Sequence, residues 1–233
     1  MEKTLGDKEH WARVAAEWVT WAREPDHDAF WAYRDALKEY LGTGSGDALD
    51  VGCGEGRVSR VLTSCGYTVT AVDPVAELLA AAEQERSAQD YVVASAGELP
   101  FEDGRFALVV SYNMLMDVAD VPAAVKEMKR VLREDGTLFV SVVHPLADLE
   151  LVKDQVTYFD RRRFETKVED RGLTMKFAGW AQPLEAYAAA LESAGLAITS
   201  VKEPAADIRD GRQHLEHWAR FPLFLWLKAR PLP

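Results

Sequence analysis

The segment LDVGCGEGRVSR, residues 49–60, constrains the fold of this chain more than any other stretch of its sequence. An apolar run typical of a buried strand leads into Gly52, Gly54 and Gly56, and a helical pattern begins immediately afterwards. Glycine lets the backbone approach a ligand where a side chain would collide. A strand that enters such a loop and continues as a helix predicts an α/β sheet with a ligand site at its carboxyl edge.

The chain on both sides of this loop alternates between strand and helix patterns. We predict strands at residues 48–52, 67–73, 91–94, 106–112 and 137–143. Apolar residues with helical spacing occupy residues 58–65, 75–86 and 121–132. Alternation at this pace predicts a parallel sheet that is covered by helices on both faces.

Other segments lie outside this alternation. Residues 9–22 carry an aromatic stripe at helical spacing, which predicts an amphipathic helix, and a second helix follows Pro25. Residues 146–180 resemble an insertion that contains a hairpin around the dipeptide RG. Residues 196–204 and 221–230 predict two late strands, the last of them an antiparallel edge or near-edge strand.

Charge and composition limit the classes of partner. The formal net charge is −11, from 38 acidic and 27 basic residues, so we expect no nucleic-acid partner. Cys53 and Cys65 form no disulfide framework, and no cysteine or histidine spacing predicts a metal site. No apolar run approaches the roughly 20 residues of a membrane helix. The N-terminus lacks the apolar segment of a secretory signal, so we expect a cytoplasmic protein without a membrane partner.

Asp73 ends the predicted strand at 67–73, about twenty residues beyond the glycine loop. An acidic side chain at this position can accept hydrogen bonds from both hydroxyls of a ribose. The loop and the acid together indicate a nucleoside-containing ligand. Dinucleotides and S-adenosylmethionine both fit that description.

The spacing Gly52-x-Gly54-x-Gly56 distinguishes between these two classes of ligand. Dinucleotide loops follow the pattern G-x-G-x-x-G, whereas the sixth position here is Arg57. Asp50 also stands inside the end of the strand, where its carboxylate would repel a pyrophosphate and attract the amino group of an amino-acid tail. The charges therefore favour the sulfonium ligand.

Four segments together resemble the class I S-adenosylmethionine-dependent methyltransferases: ALDVGCGEGRVSRVL, TAVDPVAELLAAA, ELPFEDGRFALVVSYN and MKRVLREDGTLFVSV. The late segment EAYAAALESAGLAITSVKEP is also of a form common in that family. The resemblance implies a Rossmann-like, doubly wound sheet of seven strands in the order 3-2-1-4-5-7-6, with the seventh strand antiparallel. We further predict N-terminal cap helices at 1–44 and a cofactor-binding domain at 45–233, with 146–180 as an acceptor-side insertion.

The resemblance also implies roles for individual residues. The implied neighbours of the methionine part of the cofactor are Asp50, Gly52, Cys53, Gly54 and Gly56. The implied neighbours of the ribose and adenine are Asp73, Pro74, Ala96, Gly97 and Glu98. The implied residues below the methionine, facing the acceptor, are Ser111, Tyr112 and Asn113. The family often has aspartate where this chain has Ser95 or Ala96, which leaves the adenine amino group to the backbone or to Glu98.

The N-terminal aromatic residues have two interpretations. Trp18 and Trp21 are packing residues of a helix stripe, or they belong to a cap that contacts the acceptor. In the second interpretation Tyr33 or Arg34 would bind the cofactor carboxylate, which needs a hydroxyl or cationic donor. Arg57 is either a ligand contact or a surface residue.

Methyl transfer from a sulfonium is an in-line displacement, so alignment and exclusion of water supply most of the acceleration. A base is needed only where the acceptor must lose a proton. The candidates are His144, which ends the fifth predicted strand, and then Tyr112 and Asp117. His144 is equally interpreted as a structural residue, and Asp117 as the cap of a helix that begins near Val121.

The predicted acceptor contacts are aromatic residues and methionines, which suit a flat apolar molecule but also ordinary core packing. They are Trp18, Trp21, Met114, Met116, Met175, Phe177 and Trp180. The leading prediction is a monomeric or homodimeric enzyme of natural-product biosynthesis. It would convert S-adenosylmethionine to S-adenosylhomocysteine and methylate oxygen, nitrogen or carbon of a small aromatic or indole-like metabolite. The alternatives are a nicotinamide-dependent oxidoreductase and a non-catalytic sensor that binds S-adenosylmethionine.

Overall fold

The computed structural model describes residues 7–25, 27–151, 157–209 and 212–232. The strands in these ranges are β1 (Asp47–Val51), β2 (Thr68–Asp73), β3 (Asp90–Val93), β4 (Phe106–Tyr112), β5 (Leu132–Val143), β6 (Arg162–Asp170), β7 (Leu173–Ala181), β8 (Leu196–Lys202) and β9 (Phe224–Pro231). The α-helices are α1 (Asp7–Arg13), α2 (Ala15–Arg23), α3 (Phe30–Leu41), α4 (Arg57–Ser64), α5 (Ala76–Gln84), α6 (Val121–Val131), α7 (Pro145–Leu151) and α8 (Leu184–Ser193). Leu115–Asp117 and Gln213–Ala219 are 3-10 helices.

Seven of the described strands form one sheet in the order β3-β2-β1-β4-β5-β9-β8. The strands from β3 to β5 are parallel, whereas β9 is antiparallel to both of its neighbours. Since β8 and β9 are the sixth and seventh strands of this sheet, the predicted order 3-2-1-4-5-7-6 is confirmed. The last strand is also next to the edge, as its sequence predicted.

Successive residues of β1 serve opposite faces of the sheet. Ala48 packs with buried side chains of α3 and α4, whereas Leu49 and Val51 pack with those of α6 and α8. Burying one such valine or leucine stabilises the fold by about 1.5–3 kcal/mol. Apolar side chains thus fill both faces, which explains why the central strands read as continuous apolar runs.

The helix predicted at residues 9–22 is divided in two. The backbone at Val14 (φ −106°, ψ 14°) leaves helical geometry, so α1 ends before it and α2 begins after it. The buried side chain of Val14 packs with Trp21 and Met175, which places α1 and α2 against β7. This packing is a long-range contact, which helical periodicity does not reveal.

The start of β5 also differs from the prediction. The segment EDG was expected to separate a helix from a strand at 137–143, but β5 already begins at Leu132. Its pairing with β4 shifts between Leu132 and Thr137, so residues 133–136 form an irregularity within the strand. This position needs glycine, because a Cβ atom on residue 136 would lie only 2.6 Å from the Leu132 side chain.

The predicted hairpin is formed by β6 and β7. Its turn residues Arg171 (φ 42°) and Gly172 (φ 86°) are both left-handed, as two-residue hairpin turns require. The hairpin contacts α1 and the segment between α2 and α3. His10 Nε2 lies 3.0 Å from the Lys176 carbonyl, and His27 Nε2 lies 3.2 Å from the Asp170 carbonyl.

The helices α1 and α2 and the hairpin therefore meet over the carboxyl edge of the sheet. Residues 1–6 of the predicted cap and residues 152–156 of the predicted insertion lie outside the described residues. The division of the chain at 44 and 45 stays a prediction. None of the described helices is both long and apolar enough to cross a bilayer.

Candidate functional site

A cavity of about 900 Å³ lies at the carboxyl edge of the parallel strands, below α2 and the hairpin. This volume is in the range of small-molecule sites. It brings together many of the predicted site residues: Trp18, Trp21, Asp50, Gly52, Cys53, Gly54, Asp73, Pro74, Ala96, Gly97, Tyr112, Asn113, Met114, Met116, Asp117 and Phe177. Residues predicted for the cofactor and for the acceptor thus share one cavity.

The glycine loop packs closely against two side chains. Gly52 has a φ of 72°, and a Cβ atom on it would lie 2.2 Å from Met114 Cγ. Gly54 has a φ of 56°, and its Cβ atom would lie 3.2 Å from Trp18 Nε1. The loop therefore needs glycine both for its backbone conformation and for the approach of these side chains.

The collision at Gly52 gives a prediction for stability. Gly52→Ala places a side chain at a left-handed φ and displaces Met114, so we expect a loss of about 3 kcal/mol in the free energy of unfolding. Gly104→Ala is the matched control, because its φ is 66° and nothing lies within 4 Å of the added Cβ atom. Its expected loss is only about 1–2 kcal/mol. Urea unfolding measures both, and equal losses would show that Met114 does not crowd the loop.

Asp73 ends β2 with its carboxyl group held in the cavity. Its Oδ2 accepts a hydrogen bond from the Gly54 N–H at 2.9 Å, and its Oδ1 accepts one from the Val75 N–H at 2.9 Å. Burial raises the pKa of Asp73 to about 6, although both hydrogen bonds lower it. Each oxygen keeps a free lone pair. The group can therefore accept two further hydrogen bonds side by side.

Asp50 lies deeper, almost fully buried in β1. The Ser59 hydroxyl donates a hydrogen bond to its Oδ2 at 2.6 Å. Burial raises the pKa of Asp50 to about 7; Ser59 and the charge of Arg57 lower it, and the charge of Asp73 raises it. A cationic ligand group beside Asp50 would favour the charged carboxylate.

Arg57, which the sequence left open, lies inside the cavity. Its guanidinium carbon is 4.8 Å from the ring centroids of both Trp18 and Phe30. Its Nη1 lies 2.6 Å from Asp28 Oδ1, and only 10% of the arginine side chain is exposed. A cation held between aromatic rings in a cavity suits a carboxylate ligand. The position of Arg57 directly after the glycines was a signal for this role, but nothing in the sequence marked Asp28.

Glu55 and Cys53 have structural roles in the same loop. The buried Glu55 carboxylate accepts two hydrogen bonds from Arg60 Nη2, each at 2.9 Å, and one from Arg23 Nε at 3.3 Å. Glu55 therefore ties α2 to the start of α4. Burial raises the pKa of the Cys53 thiol well above its usual range, so the thiol stays protonated.

Tyr112 and Asn113 lie at the end of β4. The Tyr112 hydroxyl is buried and, within the described part of the chain, has no hydrogen-bond partner. Burial also raises its pKa, which excludes the phenolate as a base near neutral pH. Asn113 adopts a left-handed φ of 52°, and its Oδ1 accepts a hydrogen bond from the Ser141 hydroxyl at 2.7 Å. The hydroxyl of Ser111 is buried outside the cavity.

His144 does not line the cavity. Its Nδ1 accepts a hydrogen bond from the Leu146 N–H at 3.1 Å, so the proton of the neutral ring is on Nε2, 2.9 Å from Glu203 Oε1. Nδ1 thus contacts the start of α7, and Nε2 contacts Glu203. This geometry does not support His144 as a base, and that role stays a prediction, because a position at a strand end does not decide which way the ring turns.

Tyr33 and Arg34 also lie away from the cavity. Tyr33 is fully buried against Phe224, with ring centroids 4.8 Å apart, and its hydroxyl lies 3.4 Å from the Trp218 carbonyl. Arg34 is exposed and pairs with Asp35 at 3.1 Å. These positions do not support the prediction that Tyr33 or Arg34 binds the cofactor carboxylate, whereas Arg57 at the start of α4 lies in the cavity. The prediction itself stays untested.

Four further predicted residues are absent from the cavity wall. Met175 is fully buried between the hairpin and the N-terminal helices. Trp180 stacks under Arg161, whose guanidinium carbon is 4.1 Å from its ring centroid. Glu98 is exposed, and Gly56 is the left-handed N-cap residue of α4. The structure gives these four residues no contact with a ligand in the cavity.

Asp117 lines the cavity from the 3-10 helix Leu115–Asp117. It does not cap α6, as one interpretation held, because Asp120 Oδ1 accepts the hydrogen bond from the Ala123 N–H at 3.0 Å. The hairpin packs closely here, since a Cβ atom on Gly179 would lie 3.1 Å from Asp117 Oδ1. Asp117 thus lies where the hairpin meets the end of β4.

Asp148 is a buried acid of the cavity that the sequence analysis missed. It lies on α7, and only 5% of the residue is exposed. Burial raises its pKa to about 7, and the charge of Arg162 lowers it. The sequence feature that could have indicated this residue is an aspartate flanked by the apolar residues of the segment PLADLEL. In the ranges that the structure describes, no group of histidine, cysteine and acidic side chains is arranged to hold a metal ion.

Comparison with known families decides between the sequence interpretations. Residues 49–140 match a family model described as a methyltransferase domain. This match supports a class I S-adenosylmethionine-dependent methyltransferase. The matched range contains the glycine loop, Asp73 and the end of β4, so the resemblance stated from the sequence is confirmed.

Relatives and solved structures agree with this assignment. Malonyl-[acyl-carrier protein] O-methyltransferase of Serratia marcescens is 32% identical over 114 residues, which are 47% of this chain and 45% of that protein. The chain thus matches about half the length of this curated relative. An S-adenosylmethionine-dependent methyltransferase from Mesorhizobium loti has a TM-score of 0.64 at 21% identity, covering 89% of this chain and 100% of its own.

A further structure contains a cofactor product. The 1,6-didemethyltoxoflavin-N1-methyltransferase of Burkholderia thailandensis, with bound 1,6-didemethyltoxoflavin and S-adenosylhomocysteine, has a TM-score of 0.61 at 19% identity and covers 100% of this chain and 94% of its own. The match to a methyltransferase domain supports S-adenosylmethionine as the cofactor, as the sequence predicted. It gives no support to the nicotinamide-dependent alternative.

Proposed function

We propose that this chain is an enzyme that transfers a methyl group from S-adenosylmethionine to an oxygen atom of a small molecule. The observation that carries the proposal is the convergence of Asp73, Asp50 and Arg57 on one cavity beside the glycine loop. The choice of oxygen is supported by the similarity to the Serratia O-methyltransferase. The acceptor named for that relative is not proposed as the acceptor of this chain.

The cavity residues fit S-adenosylmethionine in their donor and acceptor chemistry. Asp73 has two free lone pairs for the ribose hydroxyls, and the buried Asp50 is suited to the α-amino group. Arg57 and the unpartnered Tyr112 hydroxyl supply donors for the carboxylate. A dinucleotide would instead bring its pyrophosphate against two acidic side chains.

The adenine end of the cavity is lined by Pro74, Ala96 and Gly97. These small residues leave a slot for a flat base, and the edge of that base would contact backbone groups. Glu98 is exposed and outside this slot, so we propose that backbone groups hold the adenine amino group.

Bound here, S-adenosylmethionine supplies a methyl group that is already activated on a sulfonium sulfur. The protein aligns the acceptor and excludes water. Met114 packs on Gly52 and Trp18 packs on Gly54, and both side chains line the cavity. The Ser141 hydroxyl fixes Asn113 at the end of β4, where the acceptor would meet the cofactor.

We further propose that the acceptor binds between α7 and the hairpin, a region we call the acceptor end of the cavity. The hairpin presents alternate residues of β6, Phe164, Thr166 and Val168, together with Phe177 of β7. Met116 lies in the same wall. Aromatic and methionine side chains suit a flat, largely apolar molecule, so an aromatic or indole-like metabolite stays our prediction.

The cofactor assignment predicts an outcome for Arg57→Met. If this arginine binds the carboxylate, the variant should bind S-adenosylhomocysteine at least ten-fold more weakly, because a charged hydrogen bond contributes about 1.5–3 kcal/mol. Its affinity for 5′-methylthioadenosine, which lacks the amino-acid tail, should change less than two-fold. Calorimetry measures both ligands. Equal weakening of both would show that Arg57 only holds the loop.

Transfer of tritium from methyl-labelled S-adenosylmethionine to small hydroxylated aromatics tests the catalytic proposal itself. A protein that binds the cofactor without transfer to any acceptor would be the sensor of the alternative interpretation. Binding of NADH in place of S-adenosylhomocysteine would restore the oxidoreductase. The oligomeric state, monomer or homodimer, and the cytoplasmic location stay predictions.

A further inference from the structure

The cofactor contacts proposed above do not use the buried carboxyl group of Asp148. Asp148 lines the cavity from α7 and is 95% buried, with 5% exposed. Among the residues that the structure describes, none donates a hydrogen bond to this carboxyl group or forms an ion pair with it. Buried carboxyl groups in proteins are normally paired. An unpaired one in a cavity therefore indicates that the missing donor belongs to a ligand.

The surroundings of Asp148 define the chemistry of that ligand. The acceptor end is otherwise lined by apolar side chains such as Met116 and Phe177, by the uncharged Thr166 and by the acidic Asp117. Arg162 is the cation that acts on Asp148, but it does not line the cavity. A ligand carboxylate would therefore meet like charges, whereas a hydroxyl on an apolar ring would find an acceptor.

We propose that Asp148 is the general base of the reaction and binds the hydroxyl group of an uncharged hydroxyarene. The inference rests on the proposed function, since it names the acceptor class for the same cavity. Asp148 is thereby a catalytic residue, in the place where the sequence had suggested His144.

The step balances in atoms and charge. The acceptor oxygen forms a bond to the methyl carbon while the carbon–sulfur bond breaks, and that electron pair stays on sulfur. The hydroxyl proton passes to the Asp148 carboxylate, which becomes a neutral acid. The positive charge of the sulfonium and the negative charge of the carboxylate disappear together, and the proton is later released to water.

The environment of Asp148 suits this task. Burial raises its pKa to about 7, close to the value at which a general base is most effective at neutral pH. Tyr112 cannot share the role because burial raises the pKa of its phenol further above its usual range.

The experiment uses the full chain, tritiated S-adenosylmethionine and two probe pairs: 2-naphthol with 3-hydroxy-2-naphthoate, and 5-hydroxyindole with its 2-carboxylate. We expect transfer to at least one uncharged probe, and at least ten-fold slower transfer to its carboxylated counterpart. Asp148→Asn should lower kcat for that probe at least 100-fold, and Asp148→Glu should recover part of it. The Kd for S-adenosylhomocysteine should stay within two-fold in both variants.

Glu150→Gln is the matched control on the same helix, because Glu150 pairs with His217 at the surface and should leave kcat unchanged. Melting temperatures establish that each variant folds. The inference is overturned if Asp148→Asn keeps more than a third of kcat, if a carboxylated probe is preferred, or if neither uncharged probe is methylated by a protein that binds S-adenosylhomocysteine. Failure of the wild-type chain to bind S-adenosylhomocysteine would instead overturn the proposed function.

Discussion

Asp73→Ala should raise the Kd for S-adenosylhomocysteine at least 100-fold, the largest loss of binding that we expect from one substitution in this site. The variant removes two acceptors for the ribose, each hydrogen bond to a charged group contributing about 1.5–3 kcal/mol. It also frees the Gly54 and Val75 N–H groups that the carboxylate now holds. The loop would then lose its fixed conformation as well as its ribose contact.

Calorimetry with two ligands makes this prediction specific. Because 5′-methylthioadenosine keeps the ribose, Asp73→Ala should weaken its binding as strongly as the binding of S-adenosylhomocysteine. Arg57→Met should instead weaken mainly the binding of S-adenosylhomocysteine. Asp90→Ala is the control, an exposed acid on the neighbouring strand β3. Binding within five-fold of the wild type would refute the ribose assignment of Asp73.

The free protein should become less stable as the pH rises from 5 to 8. Burial raises the pKa of Asp50 and Asp148 to about 7 and that of Asp73 to about 6. The unfolded chain ionises these groups near pH 3.9, so the folded state binds the protons more tightly. Their contribution to stability is complete below about pH 4 and is lost as the pH rises through 6 and 7. We expect a loss of at least about 2 kcal/mol between pH 5 and 8.

Urea unfolding at several pH values measures this loss. His10 acts in the opposite direction below about pH 6.5, because burial lowers its pKa. Glu127, whose pKa Arg130 lowers, affects stability only at more acidic pH. Asp50→Asn isolates the effect, since its amide oxygen can still accept the hydrogen bond from Ser59. The variant should give a flatter curve, and a slope as steep as that of the wild type would contradict the prediction.

Much of the fold could be predicted from the sequence, because the sequence patterns that define its elements are local. Apolar runs of strand length, helical spacing and glycine stops each act within a few residues, and together they predicted the strands, the helices and the hairpin. The order of the strands was implied by the family resemblance. The errors arose where distant contacts decide the backbone. Val14 interrupts a helix because its side chain packs with Trp21 and Met175. Gly136 allows the irregularity in β5 because a side chain at this position would collide with Leu132.

The site was only partly accessible for the same reason. The glycine loop, Asp50 and Asp73 occupy fixed places in a strand–loop–helix unit, so their positions follow from the sequence. The direction of a side chain at the end of a strand does not follow from the sequence, which is why the position of His144 outside the cavity was not predicted. Asp148 and the contact of Arg57 with Asp28 depend on how α7 and the N-terminal segment fold onto the sheet.

The contact of Trp18 with the glycine loop has a practical consequence for kinetics. Its Nε1 would lie 3.2 Å from a Cβ atom added at Gly54, and its ring lies 4.8 Å from the Arg57 guanidinium carbon and 5.4 Å from the ring of Trp11. Any molecule that settles on this backbone alters the polarity around the ring. The intrinsic emission of the chain is therefore an optical reporter of cofactor arrival and departure, so stopped-flow mixing can follow both rates without a label.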